Sequence, residues 1–320
     1  MLSKAPRGTK DITPKDVYKW HYIEKKFREI CALYGYEEIR TPIFEHTEVF
    51  SRSVGDTTDV VQKEMYTFTD RGDRQLSLKP EGTAGVIRSF IENKMYADTQ
   101  PTKLYYITPC FRYERPQAGR QRQFHQFGIE VLGSDGPSVD AEVISLAVQF
   151  FNEMGLNNLS VNINSVGCPT CREEYNRKLK EYLDQKVDVL CETCLERKDK
   201  NPMRVIDCKN PHCKENLQDI PFMIDHLCED CKDHFDKLQT YLKEMDINYV
   251  VDKTIVRGLD YYKKTAFEII SNDIGSQSTV CGGGRYDGLV EMLGGPKGIS
   301  GIGFALGAER LLLTLENNNI

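Results

Sequence analysis

Four arginines fall within eleven residues of the segment Phe111-Arg-Tyr-Glu-Arg-Pro-Gln-Ala-Gly-Arg-Gln-Arg-Gln-Phe-His-Gln126. Guanidinium groups are planar, permanently charged donors, so this cluster suits a polyphosphate better than lysines would. The plain alternative is a solvated basic loop, but the interleaving of residue types argues against it. If the segment is an antiparallel hairpin, alternation puts Arg112 and Glu114 on one strand face. Phe124, Gln126 and Glu130 then share a face of the partner strand. Phosphate-binding, stacking and polar-recognition groups would lie on one floor.

A second set of chemistry-bearing residues is the cysteines. Residues 168 to 231 hold eight of the 11 in the chain. Cys168/Cys171, Cys191/Cys194 and Cys228/Cys231 are CxxC pairs, with Cys208 and Cys213 between them, and this is structural zinc spacing. Eight thiols would fill two four-cysteine sites. Taken in chain order these are 168/171/191/194 and 208/213/228/231, with an interleaved pairing as the alternative. Reduced thiols without metal are the plain reading. No CxxC opens a thioredoxin-like unit, so redox catalysis is not expected. His46, His125, His212, His226 and His234 form no motif, and His125 should face away from Phe124 and Gln126.

The arginine-rich segment resembles motif 2 of the class II aminoacyl-tRNA synthetases, in wording close to that of histidyl-tRNA synthetases. Other elements follow in the same family order. Gly35–Glu45 resembles the motif 1 dimer element, and Lys79-Pro-Glu-Gly-Thr-Ala84 the amino-acid-binding loop. Arg257-Gly-Leu-Asp-Tyr-Tyr262 and Gly282-Gly-Gly-Arg-Tyr-Asp-Gly288 are similar to the two histidine-specific motifs. Gly301-Ile-Gly-Phe-Ala-Leu-Gly-Ala-Glu-Arg310 resembles motif 3. A triple glycine alone would carry little weight; six elements in order carry much more.

The resemblance implies residue roles that fit the chemistry of each side chain. Arg112 would grip the ATP α-phosphate and Glu114 the adenine amino group, with Arg120 also on the nucleotide. Phe124 and Arg310 would sandwich the adenine between a π face and a weakly hydrated planar cation. Glu130 and Tyr262 would hold the imidazole of histidine. Glu81, Gly82, Thr83 and Gln126 would hold its backbone, and Tyr261 and Tyr286 would line the pocket. A hydrogen-bonding pocket of this kind rejects analogues that leave its polar groups unpaired, so no editing domain is needed. Arg257 would stabilise the charge that builds on the α-phosphoryl oxygens, with Arg112 beside it, while Mg²⁺ bridges the outer phosphates. The implied reaction joins histidine and ATP as histidyl-adenylate and passes the histidyl group to tRNA(His).

These groups need elements to position them. Thr13-Pro14 followed by Val17, Trp20, Ile23, Phe27, Ile30 and Tyr34 predicts an amphipathic helix capped by Thr13 and stopped at Gly35. Tyr36–Phe44 alternates like a strand, but Pro42 suits only an edge, a bulge or an interface. Strand-like runs follow at Glu64–Thr69, Gln75–Leu78, Lys103–Phe111 and Phe124–Leu132, the last two forming a hairpin whose loop is Arg115–Arg122. A helix is expected over Ser138–Met154 and a strand over Leu159–Asn164. Strand character returns at Ile247–Lys253, Thr265–Ile270 and Thr279–Gly282. Gly301–Leu315 reads as a strand leading into a helix near Gly307. The expected fold is α+β, a class II synthetase-like antiparallel sheet flanked by helices. Residues 1–167 and 246–320 would form the catalytic core, with 168–245 an inserted cysteine-rich subdomain.

Composition sets the outer limits. With 42 Lys+Arg against 48 Asp+Glu the net charge is −6, which disfavours a nucleic-acid footprint over the whole surface and leaves room for a local patch. No apolar run approaches the roughly 18–20 residues of a membrane span. The start lacks a secretory pattern, so a cytoplasmic location with reduced thiols is expected. The motif 1 resemblance implies a homodimer. Synthetases of the family carry an anticodon-binding domain after motif 3, whereas this sequence ends at Ile320. It is therefore read either as a truncated chain or as a paralogue without that domain, gripping only the tRNA acceptor end with salt-sensitive affinity. The competing function is a synthetase-like regulatory subunit that senses histidine in histidine biosynthesis. The triphosphate clamp of Arg112, Arg257 and Arg310 favours the enzyme. A zinc-ribbon nucleic-acid module would explain only the cysteines.

Overall fold

In the computed structural model, which describes residues 4–55, 58–259, 261–271 and 279–320, an eight-stranded sheet forms the centre of the molecule. Its strands are β1 (Glu37–Glu38), β5 (Thr102–Phe111), β6 (Gln123–Leu132), β7 (Ser160–Ser165), β8 (Val250–Val251), β9 (Lys263–Ile270), β10 (Thr279–Arg285) and β11 (Gly301–Gly307). They lie in the order β1-β5-β6-β11-β10-β9-β7-β8. The inner pairings are antiparallel, and the short edge strands β1 and β8 join parallel. A separate three-stranded sheet holds β2 (Phe44–His46), β4 (Gln75–Leu78) and β3 (Thr67–Thr69).

The helices are α1 (Val17–Leu33), α2 (Thr47–Val54), α3 (Thr83–Glu92), α4 (Pro137–Glu153), α5 (Pro169–Asp184), α6 (Glu192–Lys200), α7 (Pro211–Asn216), α8 (Glu229–Glu244), α9 (Leu289–Met292) and α10 (Ala308–Asn317). The apolar spacing of α1 buries Trp20, Ile23, Phe27 and Ile30 as expected. Its cap differs. The N-cap is Asp16, while the Thr13 carbonyl accepts from the Asp16 and Val17 amides, so Thr13 opens the preceding turn. Pro42 does interrupt the predicted first strand, leaving β1 in one sheet and β2 in the other. Only Val250–Val251 of the expected Ile247–Lys253 strand pairs.

One face of the large sheet is covered by α1, α4, α8 and α10. There Phe27 meets Phe127 and Phe150 at ring-centre distances of 5.1 and 5.3 Å. Each such fully buried ring is worth roughly 1.5–3 kcal/mol relative to exposure. The opposite core joins α3 and the cysteine-bearing helices to Tyr261, Tyr262 and Tyr286. The segment 168–245 therefore packs against the residues of the cleft as well as against itself. Its last helix is tied to the central sheet by a buried polar network. Arg285, with no solvent exposure, places its guanidinium 2.5 Å from Asp140, and His234 of α8 bonds the same carboxylate at 2.8 Å. Among the described residues no helix is long and apolar enough to cross a membrane.

Candidate active site

A cleft of about 650 Å³ opens on the sheet, floored by β6, β9, β10 and β11. Arg112, Glu114, Arg120, Phe124, Arg257 and Arg310 all line it, although they come from widely separated parts of the chain. The β5–β6 hairpin supplies the first four. Cys110 pairs with Phe124 in its register, and alternation then brings Phe124, Gln126 and Glu130 to the cleft face. Strand β5 stops at Phe111, so Arg112 and Glu114 stand on the connection and not on a strand face as the sequence predicts. The reason is a tight turn, in which the Glu114 amide donates to the Arg112 carbonyl at 2.8 Å and ends the alternation. Both side chains still face the cavity.

Within this half of the cleft the Arg112 guanidinium lies 5.4 Å from the centre of the Phe124 ring and donates to the Pro80 carbonyl at 2.8 Å. Arg120 pairs with Glu114 at 2.8 Å. Arg310 donates to the Thr279 carbonyl at 2.6 Å, and burial together with the neighbouring Arg120 charge lowers its basicity. An anion entering here would relieve that crowding of positive charge.

The other half is a polar pocket with aromatic walls. Glu81 accepts from the amides of Thr83 and Ala84, the first two of α3, at 2.8 Å each, and this fixes the carboxylate in place. Gln126 accepts from the Gly82 amide at 3.0 Å. Gly82 itself is buried behind the wall and does not line the cavity; a side chain there would collide with the Tyr106 ring. Tyr261 packs against Tyr262 and Tyr286 with ring centres 4.7 and 5.7 Å apart, so all three rings turn inward. Asp260 of the same motif lies outside the described residues.

Glu130 is a buried carboxyl with a strong upward shift. Its oxygens accept from Thr83 at 2.6 Å, Tyr286 at 2.5 Å and Tyr106 at 3.3 Å. Burial nevertheless pushes its pKa from 4.5 up to about 8, with the Glu81 charge adding to the effect. The folded protein therefore holds a proton at Glu130 that the unfolded chain releases between these values. Stability attached to this group is present in acid and is lost as the pH rises from 4.5 through 8. In the ligand-free protein, Glu130→Gln should flatten the fall of melting temperature across that window. A parallel fall in both proteins would show that Glu130 is not the group concerned.

Arg257 sits at the junction of the two halves. Its guanidinium bonds Glu268 at 2.5 Å and lies 5.4 Å from the Tyr262 ring centre. Its backbone is left-handed, at φ +55°, a conformation that a residue with a side chain adopts at a cost of roughly 1–3 kcal/mol. Gly282 leaves the space for it, since a side chain at that position would strike the guanidinium. Glu268 has no counterpart in the sequence reading. Its signal is a lone carboxylate in the otherwise mostly apolar run Thr265–Ile270, anchored further by a 2.8 Å bond from Thr279. Asp207 and Lys209 of the inserted segment also reach the cleft wall.

The cysteines form two groups, but not in chain order. Cys168, Cys171, Cys228 and Cys231 make one, and Cys191, Cys194, Cys208 and Cys213 the other, with all sulfurs of each within 4.8 Å of one another. Each CxxC spans the first turn of a helix, with its first cysteine at the N-cap, so both thiols face the same side. The 16-residue α5, roughly 24 Å long, separates the 168/171 pair from Cys191 along the chain, and the two pairs fall in different groups. Chain-order pairing is thereby corrected to a nested one. His125 lies on the far side of β6 from the cleft, 2.9 Å from Glu309 and edge-on to Trp20.

The family model for histidyl-tRNA synthetase matches residues 8–311. A histidine–tRNA ligase from Clostridioides difficile strain 630 is 81% identical over 320 residues, which is all of this chain and 76% of that relative. The crystal structure of apo S. aureus histidyl-tRNA synthetase, at 44% identity, superimposes with a TM-score of 0.81 over 99% of this chain and 74% of its own. At 22% identity, an ATP phosphoribosyltransferase regulatory subunit/histidyl-tRNA synthetase from Bacillus halodurans shares the fold, with a TM-score of 0.67 over 98% of this chain and 84% of that one.

Proposed function

Because the chain belongs to the histidyl-tRNA synthetase family and has the activity of a class II histidine–tRNA ligase, we propose that the cleft holds Mg²⁺-ATP in its arginine-lined half and histidine in its tyrosine-lined half. The convergence of Arg112, Arg257 and Arg310 on one cavity with Glu130 and Tyr262 carries this reading. A histidine carboxylate oxygen attacks the α-phosphorus, the bond to the bridging oxygen breaks, and pyrophosphate leaves. The 3′-terminal ribose hydroxyl of tRNA(His) then attacks the carbonyl carbon of the adenylate and AMP departs.

Arg112 and Arg257 hold the α-phosphoryl oxygens, where negative charge grows in the transition state. Glu114 and Arg120 order the nucleotide, and Phe124 and Arg310 take the two faces of the adenine. Glu81, Thr83 and Gln126 bind the amino-acid backbone, and Gly82 keeps the loop behind them close to Tyr106. Glu130 and Tyr262 hold the imidazole between Tyr261 and Tyr286. A sensor of histidine alone would have no use for the arginine half. Well-folded protein should therefore catalyse histidine-dependent exchange of pyrophosphate into ATP; its absence would favour the regulatory reading.

Each cysteine group supplies the donor set of a structural Zn²⁺ site. Sulfurs around a tetrahedral zinc lie roughly 3.8 Å apart, and Cys168–Cys228 and Cys191–Cys208 are separated by 3.8 Å each. Zinc there would staple the inserted segment. Ile43, Phe44 and Phe68, each more than two-fifths exposed around the smaller sheet, support a homodimer contact through the motif 1 region. A cytoplasmic location fits free thiols at all eleven cysteines.

A further inference from the structure

Two arginines of the inserted segment reach the main chain of the loop that carries Arg257 and Tyr262. Arg204 donates to the Arg257 carbonyl at 2.6 Å. Arg172 donates to the Val166 carbonyl at 2.9 Å and, through a second guanidinium nitrogen, to the Tyr262 carbonyl. Both ends of the loop are thus gripped by side chains from residues 168–245. Each grip comes from a different cysteine group: Arg172 directly follows Cys171, and Arg204 stands on the turn Pro202–Val205 between Cys194 and Cys208.

Arg204 is itself braced. Arg197, three residues after Cys194, donates to the Arg204 carbonyl at 3.2 Å and reaches Asp59 at 3.1 Å. The peptide that Arg204 holds is also the one with unusual geometry, since Arg257 lies at φ +55°. A charged donor at 2.6 Å fixes the Arg257 carbonyl, and with it the left-handed stretch of backbone from which the guanidinium projects.

We infer that Arg204 is a positioning residue for adenylate formation, aiming Arg257 at the α-phosphoryl group through the Arg257 carbonyl. This rests on the assignment of Arg257 to that group. Histidine binding depends on Glu130 and the tyrosine walls and should be little affected, whereas a displacement of about 1 Å at the reacting centre costs about 10²-fold in rate.

The test is pyrophosphate exchange by the full chain carrying Arg204→Ala, Arg204→Lys, Arg257→Ala and the double alanine substitution, with melting temperatures alongside. Arg204→Ala should lower kcat about 10²-fold while the histidine KM moves less than about threefold. Lysine, which keeps one charged donor, should restore part of the loss. On the Arg257→Ala background, Arg204→Ala should cause no further loss, because both act through one guanidinium. If Arg257→Ala cripples exchange but Arg204→Ala leaves kcat unchanged, or if the two losses multiply, the positioning role is wrong and the role of Arg257 stands. If Arg257→Ala is itself harmless, the underlying reading fails. Should the alanine variant not fold, a folded Arg204→Lys protein with parental kcat overturns the inference, and one with reduced kcat and parental histidine KM supports it.

Discussion

Arg257→Ala should lower histidine-dependent pyrophosphate exchange by on the order of 10²–10³-fold while histidine still binds. The expectation follows from where the charge goes during the reaction. Attack on the α-phosphorus spreads negative charge over its oxygens, and Arg257 lines the cavity together with the arginine cluster and the tyrosine walls. Its guanidinium is held by Glu268 at 2.5 Å, so little reorganisation is needed when the charge appears. Its neighbours keep it fully cationic: burial opposes the charge, but Tyr262 and Glu268 outweigh this and raise its pKa. In the proposed arrangement the ground-state contacts to histidine come from Glu81, Gln126, Glu130 and the tyrosines, so calorimetric histidine affinity should change little. Unchanged exchange would remove Arg257 from the mechanism.

Metal removal should have the second large effect. The pure protein is expected to contain one or two zinc ions per chain by elemental analysis. A strong chelator should lower the melting temperature by about 10 °C or more, since each kcal/mol is worth roughly 2–4 °C in chains of 150–250 residues and structural zinc contributes apparent energies of about 10–16 kcal/mol in isolated fingers. The loss should fall on α5 to α8, where Cys171, Cys194, Cys213 and Cys231 are buried in the same core as Leu179 and Leu183. Chelation should also slow exchange, because that core includes Tyr261, Tyr262 and Tyr286. A metal-free sample of full stability would dispose of the zinc staple.

What the sequence reveals and what it conceals divide along physical lines. Alternation on β6 is local, so Phe124, Gln126 and Glu130 could be placed on one face from their spacing alone, and His125 on the other. The cost of proline inside a ladder is local too, and Pro42 does mark the break between β1 and β2. Glycines at 282 and 303 register close approaches of Arg257 and Glu130 that only the fold explains. Pairings that depend on the path of the chain are not legible in this way. Nothing in the spacing of eight cysteines says that α5 leads away from its own cysteine group and that the chain returns beside it at Cys228, where α8 begins. The same holds for Glu268, Arg172 and Arg204, whose roles consist of meeting partners 11, 90 and 53 residues away. At Thr13 and at Arg112–Glu114 the misreading was one of local geometry, where a turn took the place of a cap or of one more pair of strand residues.

The most direct measurement is a crystal structure of the chain soaked with histidine and a non-hydrolysable ATP analogue with Mg²⁺. The α-phosphate should lie between Arg112 and Arg257, the adenine between Phe124 and Arg310, and the imidazole against Glu130 and Tyr262. Density for either ligand elsewhere, with the cleft left empty at saturating concentrations, would contradict the assignment of this cavity to both substrates.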